Sequence, residues 1–187
     1  MTVTGTTTTT QVLPTGTWNI DPSHSSIEFS VRHLMISKVK GSFKTFSGTV
    51  TVPEDPFQAS LNVTIDPNSI DTGDAARDGH LRSGDFFEVE KYPEAQYVSS
   101  AVRPAGDGYV VDGELSLHGV TRPVSLDLDF NGTGADPWGN TRAGFTATAD
   151  INRRDFGIDI TMPMETGGVV VGDKIKLTIE VELVLAK

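Results

Sequence analysis

Four histidines, His24, His33, His80 and His118, are the side chains of this sequence best suited to move a proton or hold a metal near neutral pH. None is spaced so that one strand or one helix face presents two imidazoles to an ion, and there is no cysteine. A metal centre and a thiolate nucleophile are therefore not expected. No G-x-S-x-G elbow, phosphate-cradling P-loop or strand-coupled G-x-G-x-x-G turn occurs either. The motifs lead to no catalytic residue, no cofactor and no enzyme activity.

His33 is the histidine whose setting raises a question. In "SSIEFSVRHLMIS" the apolar residues Ile27, Phe29 and Val31 alternate with Glu28, Ser30 and Arg32, and His33 takes the next apolar position, with Met35 continuing the phase. One reading is a hydrogen-bonded polar group at a strand end. The other is a polar contact for a ligand headgroup at the mouth of a pocket, or an acid/base on a lipophilic substrate. A second cluster, Arg77, His80 and Arg82, lies beside Leu81, Phe86 and Phe87. It reads as a solvated helical face with an apolar underside, its cations neutralised by Asp78 and Asp85, or as a lid whose cations meet a phosphate or carbonyl. Arg153, Arg154 and Asp155 read as a local ion pair ending a strand. Met162 and Met164 sit in a glycine-bearing loop, either a hairpin tip or an adaptable rim over a pocket.

The elements that must position these groups are strands. Period-2 alternation puts Phe57, Ala59, Leu61, Val63 and Ile65 on one face, and likewise Tyr109, Val111, Leu115 and Leu117, then Val124, Leu126, Leu128 and Phe130. Ala143, Phe145, Ala147, Ala149 and Ile151 share a parity, as do Ile175, Leu177, Ile179, Val181, Leu183 and Leu185. Gly41 and Gly48 suggest bends or bulges. Only the interval "NSIDTGDAARDGHLRSGDFFEVEKYP" breaks the rhythm. There Asp74 is an N-cap, Ser83 caps a second short turn, and the insertion falls between the fourth and fifth long strands.

Such strands close as a barrel or stack as a sandwich. The last alternation runs for about 11 residues, which at the usual barrel tilt gives an axial height near ~28 Å, tall for a plain core. Small inward residues such as Ala59, Ala143 and Ala147 leave an apolar lumen incompletely filled, and eight strands suffice to hold one slender ligand. Phe29, Val31, Phe43, Leu61, Val63, Phe145 and Leu177 are the expected lining. The fold class is thus all-β, an antiparallel β-barrel of about eight strands with one helical insertion.

With 187 residues the chain reads as one domain, spanning 17–187 after a flexible Thr-rich tail at 1–16. A formal charge of -10 argues against nucleic acid and against strong adsorption to anionic membranes, although a local basic face is compatible with that average. The N-terminal stretch has neither a basic region nor an apolar core of the kind a secretory signal carries, and no apolar run is long enough to span a bilayer, so a cytoplasmic location is expected.

The segments "DPSHSSIEFSVRHLMISKVKGSFKTFSG", "HLRSGDFFEVEKYPEAQY", "VDGELSLHGVTRPVSL", "INRRDFGI" and "VGDKIKLTIEVEL" resemble, in order and spacing, the YceI-like family. The resemblance implies an extended, lipocalin-like barrel whose apolar lumen takes polyisoprenoid or other long amphiphilic chains. Many such proteins are periplasmic or secreted, a departure from the location expected here. The leading expectation is non-catalytic binding, transport or storage of an isoprenoid lipid, such as a polyprenyl phosphate or a quinone tail. Phe29, Val31, His33, Met35, Phe43, Leu61, Val63, His80, Arg82, Phe86, Phe145, Arg153, Met162 and Leu177 are its candidate contacts. The alternatives are an enzyme using His33 and a protein-binding module. An apolar barrel rim also favours covering by a second copy, so a homodimer is a further expectation.

Overall fold

In a computed structural model, the structure describes residues 13–162, 165 and 170–187. The Thr-rich stretch 1–12 and Met164 lie outside the described residues.

The strand segments are β1 (Gly16–Ile20), β2 (Ser26–His33), β3 (Ser37–Phe43), β4 (Phe46–Val52), β5 (Ser60–Ile65) and β6 (Ile70–Asp71), then helix α1 (Ala75–Arg82), then β7 (Ala95–Ala105), β8 (Gly108–Leu117), β9 (Val120–Ala135), β10 (Thr141–Asn152) and β11 (Val171–Leu185). All pair antiparallel in a single sheet, and β1 meets β11 to close it. The register shows that the first six segments are three bent staves. β1 lies against the end of β11, with Ile20 opposite Leu183, and β2 continues along the same strand, with Ile27 opposite Ile179 and Val31 opposite Ile175. β4 and β3 follow β1 and β2 in turn, and β5 and β6 follow those. With β7 to β11 this makes a closed barrel of eight staves. The helical insertion therefore falls between the third and fourth staves, not after a fourth strand, because "TWNI" and "IEFSV" belong to one stave.

That first stave bends at Asp21–Ser25, where the amide of Asp21 donates to the Glu182 carbonyl at 2.9 Å and the amide of Glu182 donates to the Ser25 hydroxyl at 3.0 Å. One backbone bond and one side-chain bond thus stand in for the missing ladder. Arg142 ties the bend down, with Nη1 2.7 Å from Asp21 and 2.5 Å from Glu182, and Nε 2.7 Å from Asp136.

Gly41 and Gly48 mark no bulge, since the ladders run through them without a shift. They make room instead. A Cβ on Gly41 would fall against the Phe29 ring, and one on Gly48 would lie 2.6 Å from Ile20 Cδ1. The shifts in register lie at Ser99/Ala101, Gly144/Phe145 and Val171/Ile175.

Candidate functional site

Inside the barrel runs a cavity of about 370 Å³, within the range of small-molecule sites. Every stave contributes to it. The period-2 pattern explains the lining directly: from β5, Leu61, Val63 and Ile65; from β9, Val124, Leu126, Leu128 and Phe130; from β10, Phe145, Ala147 and Ile151. On β11 the lining runs from Val171 to Leu183, about 40 Å along the strand at roughly 3.3 Å per residue. A small residue on the wall helps keep the lumen open, since Ala147 of β10 does not reach the opposite side, while Ala59, just before β5, packs towards the Trp18 end.

One end is closed by Trp18, which is fully buried with Val52, Ala143 and Leu183, its indole N–H donating to the Pro14 carbonyl at 3.0 Å. Leu13 reaches the lumen there. The other end carries the helical insertion. Asp74 caps α1 by accepting from the Arg77 amide at 2.9 Å. Ser83 is the C-cap of α1, its hydroxyl donating to the His80 carbonyl at 2.6 Å, and it also opens the short turn that holds Phe86 and Phe87, its carbonyl accepting from the Phe86 amide at 3.1 Å and its hydroxyl from the Asp85 amide at 3.3 Å. The chain then turns Leu81, Phe86 and Phe87 into the lumen, and Phe87 meets Phe43 edge-on at 5.9 Å.

The cations of this segment stay on its outer side. Arg82 donates to the carbonyls of Asn68 at 2.8 Å and Ile70 at 2.9 Å, stapling α1 to β6, while His80 sits 2.8 Å from Asp85. Asp78 neutralises no cation; its carboxylate accepts from the amide and hydroxyl of Thr72, to which Arg77 also donates. His118 pins the insertion from the β8–β9 turn. Its Nδ1 is 2.9 Å from the Phe156 carbonyl and its ring packs on Tyr92, and its buried Nε2, 3.6 Å from Glu88, has no hydrogen-bond partner among the described residues.

Arg153 is the buried cation of the lumen, 4% exposed. It donates to the carbonyls of Ile158 at 2.7 Å and Gly172 at 3.0 Å, and pairs with Asp173 at 3.0 Å. Burial pushes its guanidinium down from the ordinary arginine value, with Asp173 opposing. Arg154 takes the same Asp173 at 2.9 Å, so both ion pairs are made across the β10–β11 connection and not with neighbouring Asp155. Asn152 caps this turn by accepting from the Arg154 amide, and Gly157, at φ 72°, ends it. Tyr97, whose phenol burial pushes up, also lines the lumen, and its hydroxyl donates to the carbonyls of Val124 at 2.9 Å and Val111 at 3.2 Å. Both polar groups are thus satisfied from within, and the surface left to a guest is hydrocarbon.

Of the residues singled out from sequence, Phe29, Val31, Phe43, Leu61, Val63, Phe86, Phe145, Arg153 and Leu177 line the lumen together. Five lie off it. Met35 is 52% exposed because the strand ends at His33 and the phase does not survive the turn. His33 is half-buried at the rim, and its side chain makes no hydrogen bond among the described residues. His80 and Arg82 face outward, and Met162 is half-buried in the β10–β11 connection, its carbonyl accepting from the Val170 amide. Tyr97 and Leu13 line the lumen without having been singled out from sequence, whereas Phe87, read with Phe86 as an aromatic cover of the lumen, does line it.

Asp21, His24 and Glu182 bring metal-type ligand atoms within 4.8 Å of one another, but the Arg142 guanidinium already lies on both carboxylates.

The model of the YceI-like domain matches residues 18–183. A UPF0312 protein of Pectobacterium atrosepticum is 48% identical over 136 residues, covering 72% of this chain and 71% of its own. The crystal structure of Burkholderia cenocepacia BcnA superposes with a TM-score of 0.75 at 26% identity, over 87% of this chain and 98% of the other. A polyisoprenoid binding domain from Saccharophagus degradans shares the fold, with a TM-score of 0.67 at 17% identity over 90% and 98% of the two chains. The closed eight-stave barrel, its apolar lumen and the match through nearly all of it together establish that the chain belongs to the YceI-like domain family.

Proposed function

We propose that the barrel binds one long amphiphilic isoprenoid lipid in its lumen and carries or stores it without chemical change. The observation that bears the reading is the lumen itself: long, narrow, lined with hydrocarbon from every stave, its two main polar groups satisfied by the protein's own carbonyls. Water in such a space would forfeit hydrogen bonds, whereas an apolar chain forfeits none. Each methylene buried contributes about 0.8 kcal/mol, so an isoprene unit adds about 4 kcal/mol before ordering and association costs are subtracted. The tail, not the headgroup, dominates affinity. The domain of the same fold from Saccharophagus degradans, described as polyisoprenoid binding, points to the same ligand class.

Titrating delipidated protein with isoprenoid alcohols of increasing length tests this reading. Affinity is expected to climb by on the order of tenfold per isoprene unit until the lumen is full, since ordering offsets most of the gross gain. An affinity independent of chain length would overturn it.

A further inference from the structure

The β2–β3 hairpin carries two features that barrel stability does not require. The first is its tip. Leu34 and Met35 occupy both central positions of the β-turn within the three-residue connection between the paired His33 and Ser37, at φ 54° and 62°, closed by the Ile36 amide donating to the His33 carbonyl at 3.2 Å. Glycine and asparagine take these positions without strain. Here large hydrophobes hold them, and the tip is not buried: Leu34 is half-buried, Met35 is 52% exposed, and Ile36 beside them is 82% exposed.

The second feature is charge. In a chain with 25 carboxylates against 15 Lys and Arg, the sequence from Phe29 to Pro53 contains no Asp or Glu and carries Arg32, Lys38, Lys40 and Lys44. Arg32 stands directly opposite Lys38 on the outer face, and Lys40 is opposite Ser30, whose other neighbour across the sheet is Lys176. Facing cations of this kind repel one another. Arg32, Lys38, Lys40 and Lys176 are exposed and form no ion pair among the described residues. The nearby acids are few. Asp150 stands directly opposite Lys176 on β10 but its carboxylate pairs with Lys174 at 3.2 Å, Asp71 is 4.0 Å from Lys44, Asp173 holds Arg153 and Arg154, and Glu28 lies further along β2, opposite Ser42.

We propose that this hairpin docks the barrel on an anionic lipid bilayer, with Met35 and Ile36 entering the headgroup boundary and Arg32, Lys38, Lys40 and Lys176 lying on the lipid phosphates. An apolar tip ringed by cations joins the two attractions that hold peripheral proteins on such surfaces. Neither the chain's net charge nor its composition would suggest it, since both average over an acidic remainder. The placement also serves the lumen: Val31 and Val171, which line it, lie within a few residues of the tip, and Val171 is paired with His33. A docked barrel therefore has this end of its cavity at the bilayer surface. The role in lipid exchange rests on the lumen reading given above; the docking itself does not.

Co-sedimentation of the full chain with vesicles tests the proposal, comparing equal parts phosphatidylglycerol and phosphatidylcholine with phosphatidylcholine alone. Binding is expected to the anionic vesicles only, to weaken at high salt, and to fall at least about tenfold in K38E/K40E and in I36D. Circular dichroism and thermal melts of these surface variants should match the native chain. Equal binding to both vesicle types, or undiminished binding by K38E/K40E, overturns the proposal. So does a failure to sediment coupled with a dimer by light scattering that K38E/K40E dissolves, which would give the hairpin to a second copy. Uptake of an isoprenoid alcohol in vesicle-free solution separates the two readings. If K38E/K40E takes up the alcohol like the native chain but native protein ignores anionic vesicles, docking fails and the lumen stands; the converse result spares docking alone.

Discussion

The ring of Phe29 lies over Gly41, its direct partner across the β2–β3 ladder, so the aromatic wall of the lumen depends on a missing side chain on the next strand. The ring then reaches Phe43 at 5.7 Å, and Phe43 reaches Phe87 of the insertion. Gly41→Val pushes Phe29 into the lumen, at a cost of about 1–3 kcal/mol, the usual range for overpacking. A lowered denaturant midpoint with reduced lipid capacity is expected; unchanged values for both would remove Gly41 from this role.

Arg153 and Arg154 share Asp173 but differ in what they leave behind. Arg153→Leu strands the buried carbonyl of Ile158 and the half-buried carbonyl of Gly172 on β11, which costs about 3 kcal/mol. Arg154→Leu removes a half-exposed partner and should cost under about 1 kcal/mol. Urea unfolding of the two variants side by side measures the contrast, and equal losses would contradict it.

The Arg142 clamp gives stability a pH dependence. Asp136 is held well below the usual carboxylate range, chiefly by Arg142, and Asp21 by the Ser23 hydroxyl and then Arg142. Carboxylates whose folded values are depressed stabilise the fold above their unfolded value, near ~4, and lose that contribution as pH falls below it. Arg142→Met should therefore destabilise the protein fully at neutral pH, with the gap to the native chain narrowing as pH drops below about 4. Unfolding curves at neutral and strongly acid pH check the sign; a gap that widens in acid would refute it.

Ala147, at 3% exposure on the lumen wall, leaves space that a guest needs. Ala147→Phe directs a ring into that space, so the barrel should stay folded while affinity for a long isoprenoid alcohol falls at least about tenfold, the loss of roughly two buried methylenes. Calorimetric titration reads this, with circular dichroism as the control for folding.

Much of this site was legible from alternation alone, because in a closed barrel one strand face has nowhere to go but the lumen. Leu61, Val63, Phe145 and Leu177 follow from parity without any tertiary knowledge. What failed did so where parity stops carrying information. The phase of β2 points Met35 inward, but it breaks at a turn that lacks the usual glycine or asparagine signal. The union of β1 and β2 into one stave is visible only in their shared pairing with β11, since "DPSHS" reads as an ordinary loop. Gly41 and Gly48 looked like bulges because a neighbour's side chain crossing over a glycine leaves no mark in its own strand. The cations near α1 could not be oriented from sequence, as Arg82 spends its charge on carbonyls of a turn twelve and fourteen residues earlier.

Organic extraction of the freshly purified native chain, followed by mass spectrometry, tests most directly that the lumen holds a lipid. A single class of long-chain isoprenoid lipid near one molecule per barrel, markedly depleted in Ala147→Phe, is the expected result. A reproducibly empty lumen, or a lipid content that the lumen-filling variant leaves unchanged, would contradict it.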